Sequence, residues 1–222
     1  MTHPAHSKNV AASLEELASD AQQLRRIMIE LVAPSGSPMF PLDFLAFAAT
    51  KRHASTTSAF VSAINSWNMV VARTLLRTHI DTSLRFSAAW HVESPHDFSM
   101  EVLKGARIDK LKTRSGDRLT DTHLVKLHAD EHPWLPNVYE HLCGYVHFSG
   151  SHITDSISDL SDGDQTIEFL ISDQDQKFPE FSWLEVVDCF REATGILETY
   201  LRGWGSTKRL SPEQLESLRS GT

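Results

Sequence analysis

The stretch from Ser55 to His91 constrains this chain more than any other. One apolar stripe runs through Phe60, Ile64, Trp67, Val71 and Leu75 at helical steps, and a second through Met69, Leu76, Ile80, Leu84 and Ala88. Through WNMVVARTLL the segment is apolar almost all round. A helix can carry such a surface only when neighbours cover several of its sides. The spacing therefore predicts one long, central, buried helix. It should pack against a helix over Leu135 to Phe148 and against a seam running from Val187 to Leu201.

The flanking segments supply those neighbours. Ser13 and Glu16 have capping-box spacing ahead of the stripe Leu14, Leu17, Ala21, Leu24, Met28 and Leu31, which Pro34 and Gly36 end. PLDFLAFAATKRH reads as a short helix with Pro41 in its first turn, and DFSMEVLKGA as another ending at Gly105. Asp121 caps DTHLVKLHADEH, and Pro133 breaks it. QTIEFLIS alternates in the manner of a strand, at most one arm of a small hairpin. Ser182 and Glu185 make a second capping box, with Phe181 and Val186 as staple, and Gly203 and Gly205 end that helix. Ser211, Pro212 and Gln214 start a last short helix. The expected fold is all-α: a helical bundle of four to five main helices with a small strand or hairpin addition. Residues 1–12 are expected to be disordered, 13–206 to form one bundle domain, and 207–222 to form a short C-terminal helix and tail.

At 222 residues the chain can bury a sizeable core unaided, and its formal charge of −8 at pH 7 works against a nonspecific grip on phosphate backbones. Cys143 and Cys189 each sit in an apolar helical pattern, which suits a reducing compartment. MTHPAHSKNVAASLEELASD holds no apolar run and no segment approaches a membrane span, so the expectation is a cytoplasmic protein with no membrane contact.

Three groups of residues could carry chemistry. Arg73, Arg77, Asp81 and Arg85 follow one another at steps of four and share a polar stripe on the central helix. Buried arginines need partners, so this stripe is either an ion ladder that fixes packing or the cationic wall of a cleft. YEHLCGYVHFSGSH places His141, Tyr145, Phe148 and His152 on one helical face and His147 on another, beside Cys143. His147 is expected to face the Arg77–Asp81 seam and to bond Asp81 or a tyrosine hydroxyl. HADEH matches the inverted-zincin string through His128, Glu131 and His132. A metallopeptidase would need a third ligand from a following helix, however, and Pro133 ends this one in a segment polar on all sides. No metal and no cofactor is therefore expected, with a zinc hydrolase through His128, Glu131 and His132 as the third alternative. The loop GARIDKLKTRSGDRLTD concentrates Arg107, Lys110, Lys112, Arg114 and Arg118, and reads as a solvated loop or an anion- or RNA-facing one.

VARTLLRTHIDTSLRF, followed much later by VYEHLCGYVHFSGSHI, resembles bacterial HEPN-like helical proteins of uncharacterised function. In such families a long helix carries an Arg-x-x-x-Glu or Arg-x-x-x-Asp motif, here Arg77 to Asp81. A later helix carries a Tyr-x-x-x-Ser-x-Tyr-x-His pattern, here Tyr139, Cys143, Tyr145 and His147. The resemblance spans about Ala59 to Asp155. It implies a defence- or stress-related binding module, with Arg77, Asp81, Tyr145 and His147 as the site and Arg73, Arg85, His141 and His152 around it. It also implies a homodimer and a possible RNA or protein partner. The alternative it carries is a metal-independent ribonuclease. Arg73 with His79, and Arg85 with His91, have the spacing of that family's arginine–histidine motif, although Phe86 follows Arg85 where a polar residue is usual.

Overall fold

The computed structural model describes residues 5–161, 163, 165–211, 213, 214 and 217. Its order is α1 (Lys8–Arg26), a π-helical turn (Ile27–Val32), α2 (Pro41–Asn65), α3 (Met69–Ser87), α4 (Pro95–Leu103), α5 (Asp121–His128), α6 (Leu135–Val146), α7 (Gly150–Ser156), β1 (Ile157–Ser161), β2 (Thr166–Phe169) and α8 (Glu180–Thr207). The protein is thus mostly helical with one two-stranded antiparallel sheet. Eight helices stand among the described residues, against the four or five main ones expected. α4 and α5 are the short helices expected at DFSMEVLKGA and DTHLVKLHADEH, and α7 is a further short one. None of the described helices is long and apolar enough to cross a membrane.

The long central helix is in fact two. α2 absorbs the short helix expected at Pro41 and stops at Asn65, and α3 begins at Met69. Between them Trp67 takes a positive φ of 60°. The break is stabilised by caps: Asn68 Oδ1 accepts from the Val71 N–H at 2.9 Å, and Asp175 Oδ2 accepts from the Met69 N–H at 2.8 Å. Two carboxamide or carboxylate oxygens at the start of α3 satisfy N–H groups that no helical carbonyl reaches. The interruption turns the face of α3. The stripe Met69, Leu76, Ile80, Leu84 and Ala88 is buried, whereas Val71 of the other stripe is 43% exposed. α3 packs against α2, α8, α6 and α5, so it is the central element.

Both capping boxes are displaced. α1 starts at Lys8, inside the segment expected to be disordered, with Ser7 Oγ accepting from the Val10 N–H. Ser13 is buried and donates to Asp188, and Glu16 pairs with Arg191, so these residues dock α1 onto α8. α8 starts at Glu180, which puts Ser182 inside the helix, and Phe181 is 69% exposed instead of stapled. The N-cap of α5 is Thr120, not Asp121. α8 also runs through Gly203 and Gly205 to Thr207. Gly205 is needed for contact: a Cβ there would lie 2.6 Å from Leu31 Cγ and 3.2 Å from the Leu31 carbonyl carbon. Just beyond, Lys208 Nζ is buried against both Asp43 carboxylate oxygens at 2.7 Å and the Val32 carbonyl at 2.8 Å. The bundle therefore extends past residue 206. Ser211 and Gln214 exchange reciprocal cap bonds, as expected for a helix start, while Pro212 lies outside the described residues.

QTIEFLIS does form a strand. β2 pairs antiparallel with β1 in the register Leu160 with Ile167 and Ser161 with Thr166. Apolar side chains gather on this part of the chain: Phe148, Leu160, Ile167, Phe169 and Ile171 are all more than half exposed. The basic loop is ordered by a bridge between Lys112 and Arg118, with Gly116 at φ 94° in the turn, and Arg114 donates to the Trp90 and Val92 carbonyls.

Candidate functional site

The polar stripe of α3 meets α6, which runs antiparallel to it. Arg73 reaches Tyr145 near the end of α6, and Arg77 reaches Tyr139 near its start. Each contact belongs to an arginine–tyrosine–aspartate set. In the first, Arg73 donates to the Tyr145 hydroxyl, and that hydroxyl donates to Asp155 Oδ2 at 2.9 Å. Arg73 also lies 3.7 Å from Asp155 and 4.7 Å from the Tyr145 ring centroid. In the second, Arg77 pairs with Asp81, donates to the Tyr139 hydroxyl and stacks 3.6 Å from that ring's centroid, while Tyr139 donates to Asp81 Oδ1 at 3.2 Å. Arg85 continues the stripe at the more exposed end, held by both oxygens of Asp121 at 2.9 and 3.0 Å. Asp121 also stands 3.9 Å from Arg77, linking the two.

Both arginines and both tyrosines are buried. Burial opposes the Arg77 charge, but the Asp81 carboxylate more than offsets it and holds the pKa above its ordinary value. Arg85 is raised likewise, with burial opposing and the Asp121 bond prevailing. Burial, with Asp81 nearby, drives the Tyr139 hydroxyl up, and burial pushes Tyr145 up to about 12 although Arg73 pulls the other way. Both phenols therefore stay protonated at neutral pH, as donors to carboxylates and acceptors from guanidiniums.

The expected residues separate into those that converge and those that do not. Arg77 and Asp81 meet, and Tyr145 belongs to the neighbouring set. His147 does not join them: it is exposed, in extended backbone just past the end of α6. The helix stops because the chain folds back on Gly144, where Ser149 Oγ donates to the Gly144 carbonyl at 2.9 Å. A Cβ on Gly144 would sit 2.9 Å from the Oγ atoms of Ser149 and Ser151. Phe148, placed on one helical face with His141, Tyr145 and His152 by helical counting, lies beyond the helix and is 88% exposed for the same reason. His141 and His152 nonetheless flank Tyr145, with ring centroids 5.6 and 5.5 Å away, and His152 Nδ1 is buried without a hydrogen-bond partner.

The arginine–histidine pairs point apart. His79 is fully buried on the other side of α3, bonded to Thr194 Oγ1 at 2.9 Å and stacked on Phe190, while Arg73 faces α6. Arg85 is committed to Asp121, and His91 lies beside His128, ring to ring at 6.0 Å. HADEH is not polar all round: His128 is 1% exposed and bonds Ser87 Oγ at 2.8 Å. Burial, with His91 and His132 adding to it, lowers its pKa to about 4.

Between α3, α6 and α8 lies a cavity of about 430 Å³ whose polar lining is Arg73, Asn137, His141, Glu185 and Cys189. Burial, with Glu185 nearby, pushes the Cys189 thiol up to about 12, so it is no thiolate nucleophile. Tyr139, Asp121 and Asp155 were not among the expected site residues. The signal that could have found the first was two tyrosines on α6 opposite two arginines on an antiparallel neighbour. The chain matches no family model, no curated protein and no solved structure.

Proposed function

We propose that this chain is a HEPN-like, defence- or stress-related module that works by binding, and that its ligand seat is the cavity beside Arg73. The observation that carries this reading is convergence. Arg73 and His141, one turn of α3 and one of α6, line the same cavity, and Asn137 and Glu185 join them. Five polar residues stand among Leu76, Val138, Leu142 and Val186, so the cavity offers several anchoring groups beside an apolar wall. A guanidinium and a carboxylate on one wall suit a small molecule that carries a negative group and a hydrogen-bond donor together. The catalytic alternative has less to work with. Neither seam guanidinium is hydrogen-bonded to a histidine among the described residues, so neither has beside it the histidine base that the ribonuclease chemistry needs.

Thermal shift with free amino acids, nucleoside monophosphates and inorganic phosphate tests this, followed by calorimetry of the best probe on wild type, His141→Ala and Asn137→Ala. A probe that stabilises wild type and binds either variant at least tenfold more weakly supports the reading. A short labelled RNA serves as the opposing arm. Wild-type cleavage that Arg77→Lys abolishes in a folded protein would overturn the reading in favour of the ribonuclease.

A further inference from the structure

A second cluster lies apart from the seam, where α5 ends. His128 closes α5, and the His132 N–H bonds back to the His128 carbonyl at 2.9 Å, so one more helical turn survives ahead of Pro133. That turn brings His128, Glu131 and His132 together: one ligand atom from each lies within 4.8 Å of the other two. The hydrogen bonds fix which histidine nitrogen is free. Ser87 Oγ donates to the Leu84 carbonyl at 2.7 Å, so toward His128 Nε2, 2.8 Å away, it can only accept. His128 therefore carries its proton on Nε2 and keeps the Nδ1 lone pair. A metal-binding histidine is commonly oriented by a partner on its other ring nitrogen. His91 stands edge-on to the His128 ring with its Nε2 buried and without a hydrogen-bond partner, a polar atom that the fold leaves unused beside the cluster. Tyr200 and Trp134 border it, with ring centroids 5.6 Å from His128 and 6.5 Å from His132.

We propose that His128, Glu131 and His132 bind one divalent transition-metal ion, with zinc the best fit to two imidazoles and a carboxylate. Imidazole nitrogen and a single carboxylate oxygen suit zinc better than the oxygen-seeking calcium or magnesium. Three protein ligands leave a coordination position for water. The side chains need only close from 4.8 Å to the roughly 3.4 Å that separates ligand atoms about 2.1 Å from a tetrahedral ion. The ion would pin the turn between α5 and α6, because Leu135 N–H already hangs on the His132 carbonyl.

The experiment uses untagged full-length protein stripped with a chelator, dialysed, and titrated with zinc by calorimetry and with cobalt by visible absorption. One equivalent of zinc is expected, with cobalt bands of a four- or five-coordinate site. His132→Ala and Glu131→Gln should each weaken zinc binding at least tenfold, and His147→Ala should not. His128 is buried, so the two more accessible ligands decide the outcome, each variant being checked for native circular dichroism. No stoichiometric zinc on wild type, or wild-type affinity in folded His132→Ala, would overturn the proposal. Neither result touches the cavity beside Arg73, which this site does not share.

Discussion

Replacing Arg77 by alanine removes the cation that Asp81 and Tyr139 were built around. Arg77 side-chain exposure is 10% and that of Asp81 is 19%, so the carboxylate left behind has little water to turn to. Stripping one partner from a fully buried pair costs about 3–5 kcal/mol. The partial exposure of Asp81, and Tyr139 still donating to it, put this case at the lower end, about 3 kcal/mol. For a domain of this size each kcal/mol moves the melting temperature by about 2–4 °C, so Arg77→Ala should melt about 6–12 °C below wild type. A double-mutant cycle separates the pair from the packing. Asp81→Asn alone should cost less, and Arg77→Ala with Asp81→Asn together should cost clearly less than the two added, by about 1–2 kcal/mol. Melts followed by circular dichroism give all four corners. A melt of Arg77→Ala within about 2 °C of wild type would mean that the seam is solvated and the buried-charge reasoning is wrong.

The buried histidines make stability depend on pH. His53, lowered to about 4 by burial and then by Arg25, against the pull of Asp20, touches the His79 ring at 4.8 Å. His79 is held well below its ordinary value by burial, with His53 and Arg52 adding to it. Between about pH 4 and 6.5 the unfolded chain therefore binds more protons than the folded one. Stability is fully present above about pH 6.5 and falls as the pH drops, by up to about 1.4 kcal/mol per unit for each ring. Melting temperatures from pH 7 to 4.5 should decline, and His53→Gln should flatten the decline; a wild-type profile with no slope refutes this. Gly205→Ala should destabilise by about 1–2 kcal/mol in urea unfolding, because the clash with Leu31 outweighs the roughly 1 kcal/mol of helix propensity gained. A stabilised variant would show that α8 and the π-helical turn do not approach so closely.

Why was the helical class legible and the break at Trp67 not? Apolar spacing reports burial, and burial is what Met69, Leu76, Ile80 and Leu84 obey. The break carries no glycine or proline. It depends on Asp175, over a hundred residues away, reaching the Met69 N–H, which no local pattern announces. The capping boxes misled for a related reason. Ser13, Glu16 and Ser182 have cap chemistry, but all three lie inside helices, where Ser13 and Glu16 bond α8 from α1 and Ser182 is buried. Where a serine can satisfy either a local N–H or a neighbouring helix, tertiary packing decides.

The candidate site was half legible for a reason that also explains its form. Steps of four put Arg73 and Arg77 on one face, and burial demanded partners, but helical counting through Gly144 carried His147 inward when the chain turns out at Val146. The partners came instead from tyrosines six residues apart on α6. Such a pairing fixes register. Arg73 with Tyr145 and Arg77 with Tyr139 can form together only in one antiparallel alignment of α3 and α6. A slip by one turn would leave a buried guanidinium facing Leu142 or Leu135, at a cost of several kcal/mol that apolar contacts alone would not impose. The same alignment places His141 beside Arg73 at the cavity. If the cavity is the ligand seat proposed above, the seam would act on binding through position: it holds the two helices where the cavity has both of its basic residues, and a variant that loosens the Arg77 end of the seam should weaken binding there without touching the ligand.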